Sequence, residues 1–502
     1  MSQTLLINAM ASETRIALLE GDRPVEFLIE RTSDRSIVGN IYVGSVDRIL
    51  PGMQAAFIDI GLDRCGFLYV DDAVIDTPPL ERDPTTLGET HPKPQHRSGP
   101  KGDIATVLHQ GQHVVVQVLK DPVGTKGARL TRKITLPGHR LVYLPFEPNI
   151  GISNRITDPA ERKRLADLLT PLSADQGGWI ARTLCEGVSN EDLHEEAQKF
   201  RDLWKELSKV AASAKPKTRI HEELPLVARA VRELLSPAVE QIIVDDGAVF
   251  TELCKHVSLI GPHLRGHIRH YTDPEPLFET HGIEIDLNRA LDRRVWLKSG
   301  GSLVIDHAEA LTSIDVNTGR FVGKKSLEET VTQLNLEAVR EIAYQLRLRN
   351  IGGIIVIDFV DMTQATNRER VLTALTRELS KDKVKSTVLR MSEIGLVEMT
   401  RKRTRESLTE LLTEPCPHCR GRGRIKASET VSGDILRALL RLGRQHAGGT
   451  LLLNLHPDMA KHVQEIHLQD IEIIEQRCSI QIVPVPRDGI PWEGFEILRV
   501  GG

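Results

Sequence analysis

Two acidic segments hold the residue types best suited to chemistry: SIDVNTGR, with Asp315 and Asn317, and IIVIDFVD, with Asp358 and Asp361. Asp358 follows the apolar run Gly353 to Ile357, and Asp315 follows Ile314 in a similar way. A carboxylate at such a strand end is costly to bury unless it is paired, hydrogen-bonded or bound to a cation. Two carboxylates and a side-chain amide make an oxygen-rich partial shell suited to magnesium, which keeps several waters and can take its remaining ligands from phosphate. Such an ion activates water and stabilises charge on a phosphodiester. On spacing alone, the same aspartates could instead cap loops or pair with Arg320, Lys324 or Lys325.

A second group is Cys416 and Cys419 in CPHCRGRGR, where glycines permit a tight bend and thiolates can bind zinc. One CxxC supplies half of a tetrahedral site, and the sequence holds no second one. A closed four-sulfur site is then most simply shared by two chains, each giving one pair. A redox dithiol and a plain exposed turn are the other readings. Phe57 and Phe67 flank the glycine-containing turn IDIGLDRCGFL, where they could stack unpaired bases or simply fill a core. Arg182 beside Thr183 makes no motif by itself. Between Arg401 and Lys426 eight basic residues face three acidic ones. That excess could attract a nucleic-acid backbone or form a solvated helical face.

These residues need elements to position them. Strands are expected at SLVID, LTSIDVN and GGIIVIDFVD, with a helix from Leu327 to Arg349 between the two acidic ends. Leu327, Val331, Leu334, Ala338, Ile342 and Leu346 recur at three- and four-residue steps and predict one buried face. Strand, helix, strand would set the acidic ends side by side. Upstream, LLINAM and RIALLEGDRPVEFLIER read as strands with a hairpin at Gly21 and Asp22. From about Gly39, short strands with glycine turns suit a small closed barrel, resuming at GQHVVVQVLKD. Residues 73–104, with six prolines among polar residues, read as a mobile loop inserted into it. RLVYLPF and GWIARTL suggest further strands, Asp192 to Val210 a helix, and a new α/β pattern begins near Leu224. The last 75 or so residues, opening with ILRALLRLGRQ, read as a small accessory domain.

The chain's 502 residues, 40% of them hydrophobic, call for several domains. A net charge of −4 neither suggests nor excludes a polyanionic partner, so any such partner must meet local basic patches. The six cysteines form no disulfide framework, and neither a secretory leader nor a membrane-length apolar run is present, so a cytoplasmic protein is expected.

SIDVNTGR, LEETVTQLNLEAVREIAYQLRLRNIGGIIVIDFVDM and CPHCRGRGR, in that order, closely resemble the catalytic region of the ribonuclease E/G family. The resemblance covers nearly the whole chain, and the end at Gly502 without a long tail favours the ribonuclease G branch. It implies a multidomain α/β and α+β fold: a ribonuclease H-like module split over residues 1–38 and 222–288, an OB-fold RNA-binding barrel at 39–125, and a 5′-sensor module at 126–221. A deoxyribonuclease I-like catalytic module at 289–410, a zinc link at 411–425 and a small C-terminal oligomerisation domain at 426–502 would follow.

The same resemblance implies that Asp315 and Asp358 hold a catalytic Mg2+ and that Asn317 positions the scissile phosphate or the attacking water. Phe57, Phe67 and Lys120 would contact RNA, while Gly127, Thr131, Arg182 and Thr183 would surround a 5′-monophosphate. Cys416 and Cys419 would share Zn2+ between protomers of a homodimer, which could pair again into a tetramer. The implied activity is endonucleolytic cutting of single-stranded, A/U-rich RNA to 5′-phosphate and 3′-hydroxyl ends, in rRNA and tRNA processing and mRNA decay. A non-catalytic RNA-binding protein and a deoxyribonuclease are the competing readings, since metal-assisted hydrolysis does not need a 2′-hydroxyl.

Overall fold

The structure is a computed structural model that describes residues 2–75, 103–122, 126–175, 177–235, 238–260, 266–319, 327–392, 394–445 and 448–500. The chain forms two compact units, Met1–Leu408 and Thr409–Gly502. Most of the expected loop at 73–104, and the cations Arg320, Lys324 and Lys325, lie outside the described residues. The edges of that insertion are ordered: the short helices Val70–Ala73 and Ile104–Val107 bury Ala73 and Ile104 completely in the barrel core.

Among the described residues the first unit contains four sheets. In the first, the antiparallel strands Gln3–Ala9, Glu13–Glu20 and Arg23–Arg31 are extended by Val239–Val244, which lies parallel to Gln3–Ala9, and then by Ile268–His270. Leu5 and Ile7 face the same core as Ile242 and Val244. The sheet thus unites segments separated by the whole barrel, and an Asn8 to Asp245 side-chain bond spans 237 positions at its end.

The barrel closes through five strands in the ring Ile41–Leu50, Ala55–Asp59, Gly66–Tyr69, Arg129–Thr131 and His113–Lys120, the last pairing back onto the first. Alternation fills its interior with Val46, Ala56, Ile58, Leu68, Val116, Val118 and Leu130, and turns the intervening residues outward. Closure leaves no free edge in the ring.

A four-stranded sheet, ordered Ile150–Ile152, Gly178–Ala181, Leu141–Leu144 and Leu136–Pro137, packs Trp179 against Tyr143 with ring centroids 4.5 Å apart. The helices Pro159–Asp175 and Asn190–Ser213 contribute to the same core. Ser189 caps the second of them by accepting from the Asp192 amide, which satisfies one of the orphan donors of the first turn.

The fourth sheet runs Arg294–Trp296, Ser302–His307, Leu311–Asn317, Gly353–Asp358, Leu396–Arg401, Ser386–Val388. The helix Leu327–Leu348 crosses between its two central parallel strands, as expected from the sequence. Val331, Leu334, Ala338, Ile342 and Leu346 are buried against the sheet, each large side chain contributing roughly 1.5–3 kcal/mol. Leu327 departs from the expectation: it is 82% exposed because it is the first helical residue. Elsewhere the helix meets the N-terminal sheet through Arg347 to Glu20 at 2.7 Å and through Arg23 stacked 3.8 Å from the Tyr344 ring centroid. Burial there pushes the Tyr344 hydroxyl up to about 12.

Among the described residues the second unit has one three-stranded sheet, Gln481–Pro486, Thr450–Leu455, Phe495–Val500, with the helices Ser428–Gln445, Pro457–Ile466 and Leu468–Cys478. No helix among the described residues is long and apolar enough to cross a membrane.

Candidate active site and nucleic-acid interface

The acidic centre follows from strand register. Leu311–Asn317 and Gly353–Asp358 are parallel neighbours, and the ladder sets Asp315 directly beside Asp358. The inward residues Ile314, Val316, Ile355 and Ile357 are buried, so the aspartates are turned to the opposite, exposed face. Asn317 donates from Nδ2 to Asp315 Oδ2 at 2.7 Å. Partial burial, and then the nearby charges of Asp315 and Asp361, push the Asp358 carboxyl above its usual range. Among the described residues none of Asp315, Asp358 and Asp361 takes part in an ion pair. Three carboxylates, two of them adjacent in the ladder and none ion-paired among the described residues, suit a hard divalent cation.

Two residues of the crossing helix fix the loop that follows Asp358. Fully buried Asn335 donates from Nδ2 to the Val360 carbonyl at 2.8 Å, and its Oδ1 accepts from the Val360 amide at 3.2 Å. The Glu328 carboxylate accepts from the Thr363 hydroxyl at 2.7 Å, the Thr363 and Gln364 amides at 3.1 and 3.0 Å, and the Asn367 side chain at 3.0 Å. The Asn367 and Thr363 side chains, followed by the two amides, hold its carboxyl down at about 2. Periodicity marks only apolar positions on this helix, so neither polar anchor was visible to sequence reasoning.

The barrel presents an outward row that crosses five strand positions in register: Arg48 beside Phe57, Phe57 beside Phe67, Phe67 beside Arg129, and Arg129 beside Lys120. Phe57 and Phe67 are half-buried and meet edge to face at 5.8 Å; Phe67 meets exposed Tyr69 at 5.0 Å. Arg129 lies 5.9 Å from the Tyr69 ring and bonds Asp72 at 3.0 Å. The structure therefore joins Phe57, Phe67 and Lys120, which the sequence singled out, and adds Arg48, Tyr69 and Arg129. Their link depends on barrel register, which local spacing does not reveal.

The four residues expected around a terminal phosphate lie on two elements, Gly127 and Thr131 at the barrel strand Arg129–Thr131 and Arg182 and Thr183 after Gly178–Ala181. Thr131 is 2% exposed; its hydroxyl donates to the Asp72 carbonyl at 3.4 Å and accepts from the Lys133 amide at 3.0 Å. Gly127 is wedged against the Cys65 carbonyl, where an added Cβ would lie 1.9 Å away. Arg182 and Thr183 follow the strand Gly178–Ala181 of the four-stranded sheet. Arg182 uses Nη1 on the Gly138 and Arg232 carbonyls at 2.7 and 3.2 Å, and burial lowers its affinity for a proton. The exposed Thr183 hydroxyl lies 3.0 Å from that of Ser153. Among the described residues no hydrogen bond joins Gly127 or Thr131 to Arg182 or Thr183.

Much of the basic stretch from Arg401 to Lys426 is neutralised within the fold. Arg401 is 4% exposed and bonds Asp382 at 2.8 Å, and Arg405 bonds Glu26. In the second unit Arg422 pairs with Glu493 and Lys426 with Asp434, each at 2.8 Å.

Cys416 and Cys419 lie on a tight turn closed by Arg420 N to Cys416 O at 2.7 Å and Arg422 N to Cys419 O at 2.9 Å, with Arg420 and Gly421 at φ 50° and 85°. Both thiols are accessible. The Cys419 and His418 amides point at the Cys416 sulfur and lower its proton affinity, which favours the thiolate that zinc binds.

A family model described as the ribonuclease E/G family matches residues 135–404, and one described as the RNase E/G thioredoxin-like domain matches residues 415–500. The chain is 42% identical over 489 residues to ribonuclease G of Escherichia coli strain K12, covering 97% of this chain and 98% of that one. It is 41% identical over 489 residues to ribonuclease G of Salmonella typhimurium strain SL1344, with the same coverage. Against ribonuclease E of Escherichia coli strain K12 it is 34% identical over 500 residues, which is 99% of this chain and 46% of that protein.

Proposed function

This chain belongs to the ribonuclease E/G family, and from that premise we propose that it is an endoribonuclease that cuts single-stranded RNA at the Asp315 and Asp358 centre. The observation that carries the site is the ladder pairing of those two aspartates on an exposed face, with Asp361 nearby and no ion pair among the described residues to explain them. Asp315 and Asp358 would hold Mg2+, which supplies an activated water and stabilises the charge of the phosphodiester transition state.

The chain's own groups prepare that event. The Asn317 amide orients Asp315 by donating to Oδ2. The Asn335 and Glu328 bonds hold the segment after Asp358 in one conformation, so the carboxylates are set before substrate arrives. On the barrel, Phe57, Phe67 and Tyr69 offer faces for unpaired bases, while Lys120, Arg129 and Arg48 meet the backbone phosphates. Arg182 and Thr183 supply donors for a 5′-monophosphate, with Ser153 beside them; Gly127 and the buried Thr131 shape the adjacent backbone rather than offer side-chain donors. A/U-rich substrates, 5′-phosphate and 3′-hydroxyl products, and roles in rRNA and tRNA processing and mRNA decay complete the reading.

The order of the first sheet, three antiparallel strands extended by two parallel ones, supports the split ribonuclease H-like module, and the mixed six-stranded sheet supports the deoxyribonuclease I-like one. The Cys416 and Cys419 turn, with accessible thiols, supports a zinc link between two protomers.

The test is cleavage of a 5′-monophosphorylated single-stranded A/U-rich RNA and of the matching DNA, with magnesium, by wild type, Asp315→Asn and Asp358→Asn. RNA binding is measured on the same samples. Internal cutting of RNA by wild type, with variants that bind but barely cut, is expected. Normal cutting by the variants would make the aspartates structural, and equal activity on DNA would favour a deoxyribonuclease.

A further inference from the structure

We propose that the second unit carries a metal site of its own, in which Glu429, His462 and His467 bind zinc or an ion of the same class. None of its residues belongs to the acidic centre or to the cysteine turn. Glu429 lies in the first turn of the helix Ser428–Gln445, His462 on the helix Pro457–Ile466, and His467 at the junction of that helix with Leu468–Cys478. One potential ligand atom from each residue lies within 4.8 Å of the other two. His467 Nε2 is 3.2 Å from Glu429 Oε2, and His462 Nε2 is 3.4 Å from Glu429 Oε1. Donors bound to a tetrahedral zinc at roughly 2.0–2.1 Å stand about 3.3 Å apart, so each imidazole lies at about that distance from one of the two Glu429 oxygens.

Two further observations point to a cation. The Asp470 carboxylate lies 3.0 Å from His467 Nδ1. An acceptor there keeps the proton on Nδ1 and turns the Nε2 lone pair toward Glu429, which is the arrangement that orients metal-bound imidazoles. His467 Nε2 and Glu429 Oε2 stand at 3.2 Å, within hydrogen-bond distance, so the space between them takes either a proton or a cation, and with the proton on Nδ1 it is a cation that joins the two. His462 Nε2 is also buried at the atom level and makes no hydrogen bond among the described residues, although Glu429 Oε1 lies 3.4 Å away. Two imidazoles and one carboxylate form the borderline donor set that zinc takes, with a fourth position open to water. Bound there, the ion would tie together the starts or ends of three helices around the small sheet.

The test uses the full chain with Cys416→Ser and Cys419→Ser, in excess magnesium, so that neither thiolates nor the acidic centre takes up zinc. Zinc per chain is measured by mass spectrometry after dialysis, and affinity by competition with a chromogenic chelator. The cysteine-free chain is expected to keep one zinc, to lose it on His462→Gln or His467→Gln, and to bind about 10–100-fold more weakly with Asp470→Asn. Equal zinc content with and without His467→Gln would overturn the proposal. Should the cysteine-free chain fail to fold, the same comparison in the wild-type background is read as the loss of one zinc per chain, and no loss has the same meaning.

Discussion

Replacing Asn335 by leucine removes the two hydrogen bonds that hold the segment between Asp358 and Asp361, while keeping a side chain of similar volume in the buried site. The Val360 amide and carbonyl are then left facing an apolar group. Each buried backbone group without a partner costs about 1–3 kcal/mol, so the pair costs about 2–6 kcal/mol, nearer the lower figure because Val360 is only half-buried. Asp358 lies two residues before Val360 and Asp361 one after it, and a displacement of about 1 Å at a catalytic group lowers rate by about a hundredfold. Urea unfolding followed by circular dichroism reads the first effect. Single-turnover cleavage of a 5′-monophosphorylated RNA reads the second, with fluorescence anisotropy reporting RNA binding on the same samples. The barrel has its own core, so binding should persist while cleavage falls. A variant as stable and as fast as wild type would refute the view that Asn335 positions the acidic centre, and a loss of binding equal to the loss of cleavage would mean general misfolding.

The Glu328 carboxyl is held near 2 in the fold, below its usual value of 4.5, so its contribution is complete above about pH 4.5 and is lost as pH falls toward 2. Hydrogen exchange at Thr363 and Gln364 should lose protection over that window, and Glu328→Ala should show the loss already at neutral pH. Phe67→Ala should weaken single-stranded RNA binding by about 1–3 kcal/mol, whereas Arg129→Ala should reduce the slope of log affinity against log salt by about 0.7, both read by anisotropy titration. If Cys416 and Cys419 form the proposed zinc link, Cys416→Ser with Cys419→Ser should lower the zinc content and shift the mass in light scattering toward monomer; an unchanged oligomer with full zinc would contradict the link.

The acidic centre was legible in the sequence because Asp358 ends and Asp315 lies near the end of two strands joined by a strongly periodic helix, a pattern that is local. The barrel was legible because glycine turns and alternation are local as well. What sequence reasoning missed depends on register or distant pairing. The row from Arg48 to Lys120 exists only when the ring closes, and Asn335 and Glu328 matter only because the loop after Asp358 folds back onto their helix. Arg401 looked like part of a solvent-facing basic stretch, but alternation in Leu396–Arg401 turns it inward onto Asp382. Leu327 fits the apolar periodicity and is nevertheless exposed, since periodicity predicts a face but not where the helix begins to be covered.

The first sheet also has a consequence for biosynthesis. Gln3–Ala9 emerges with its antiparallel partners Glu13–Glu20 and Arg23–Arg31, but its other edge waits for Val239–Val244, as the 237-position gap between Asn8 and Asp245 shows. At about 5–20 residues per second, a ribosome leaves that edge uncovered for roughly 10–50 s. During this interval the apolar stretch Leu5, Leu6 and Ile7 is a template for pairing with another nascent chain, while the barrel, whose strands all lie between Ile41 and Thr131, can already close. Slow translation between the barrel and residue 244 would therefore lengthen the exposure of this edge without delaying the barrel, and chaperone demand should follow the time spent there rather than the length of the chain.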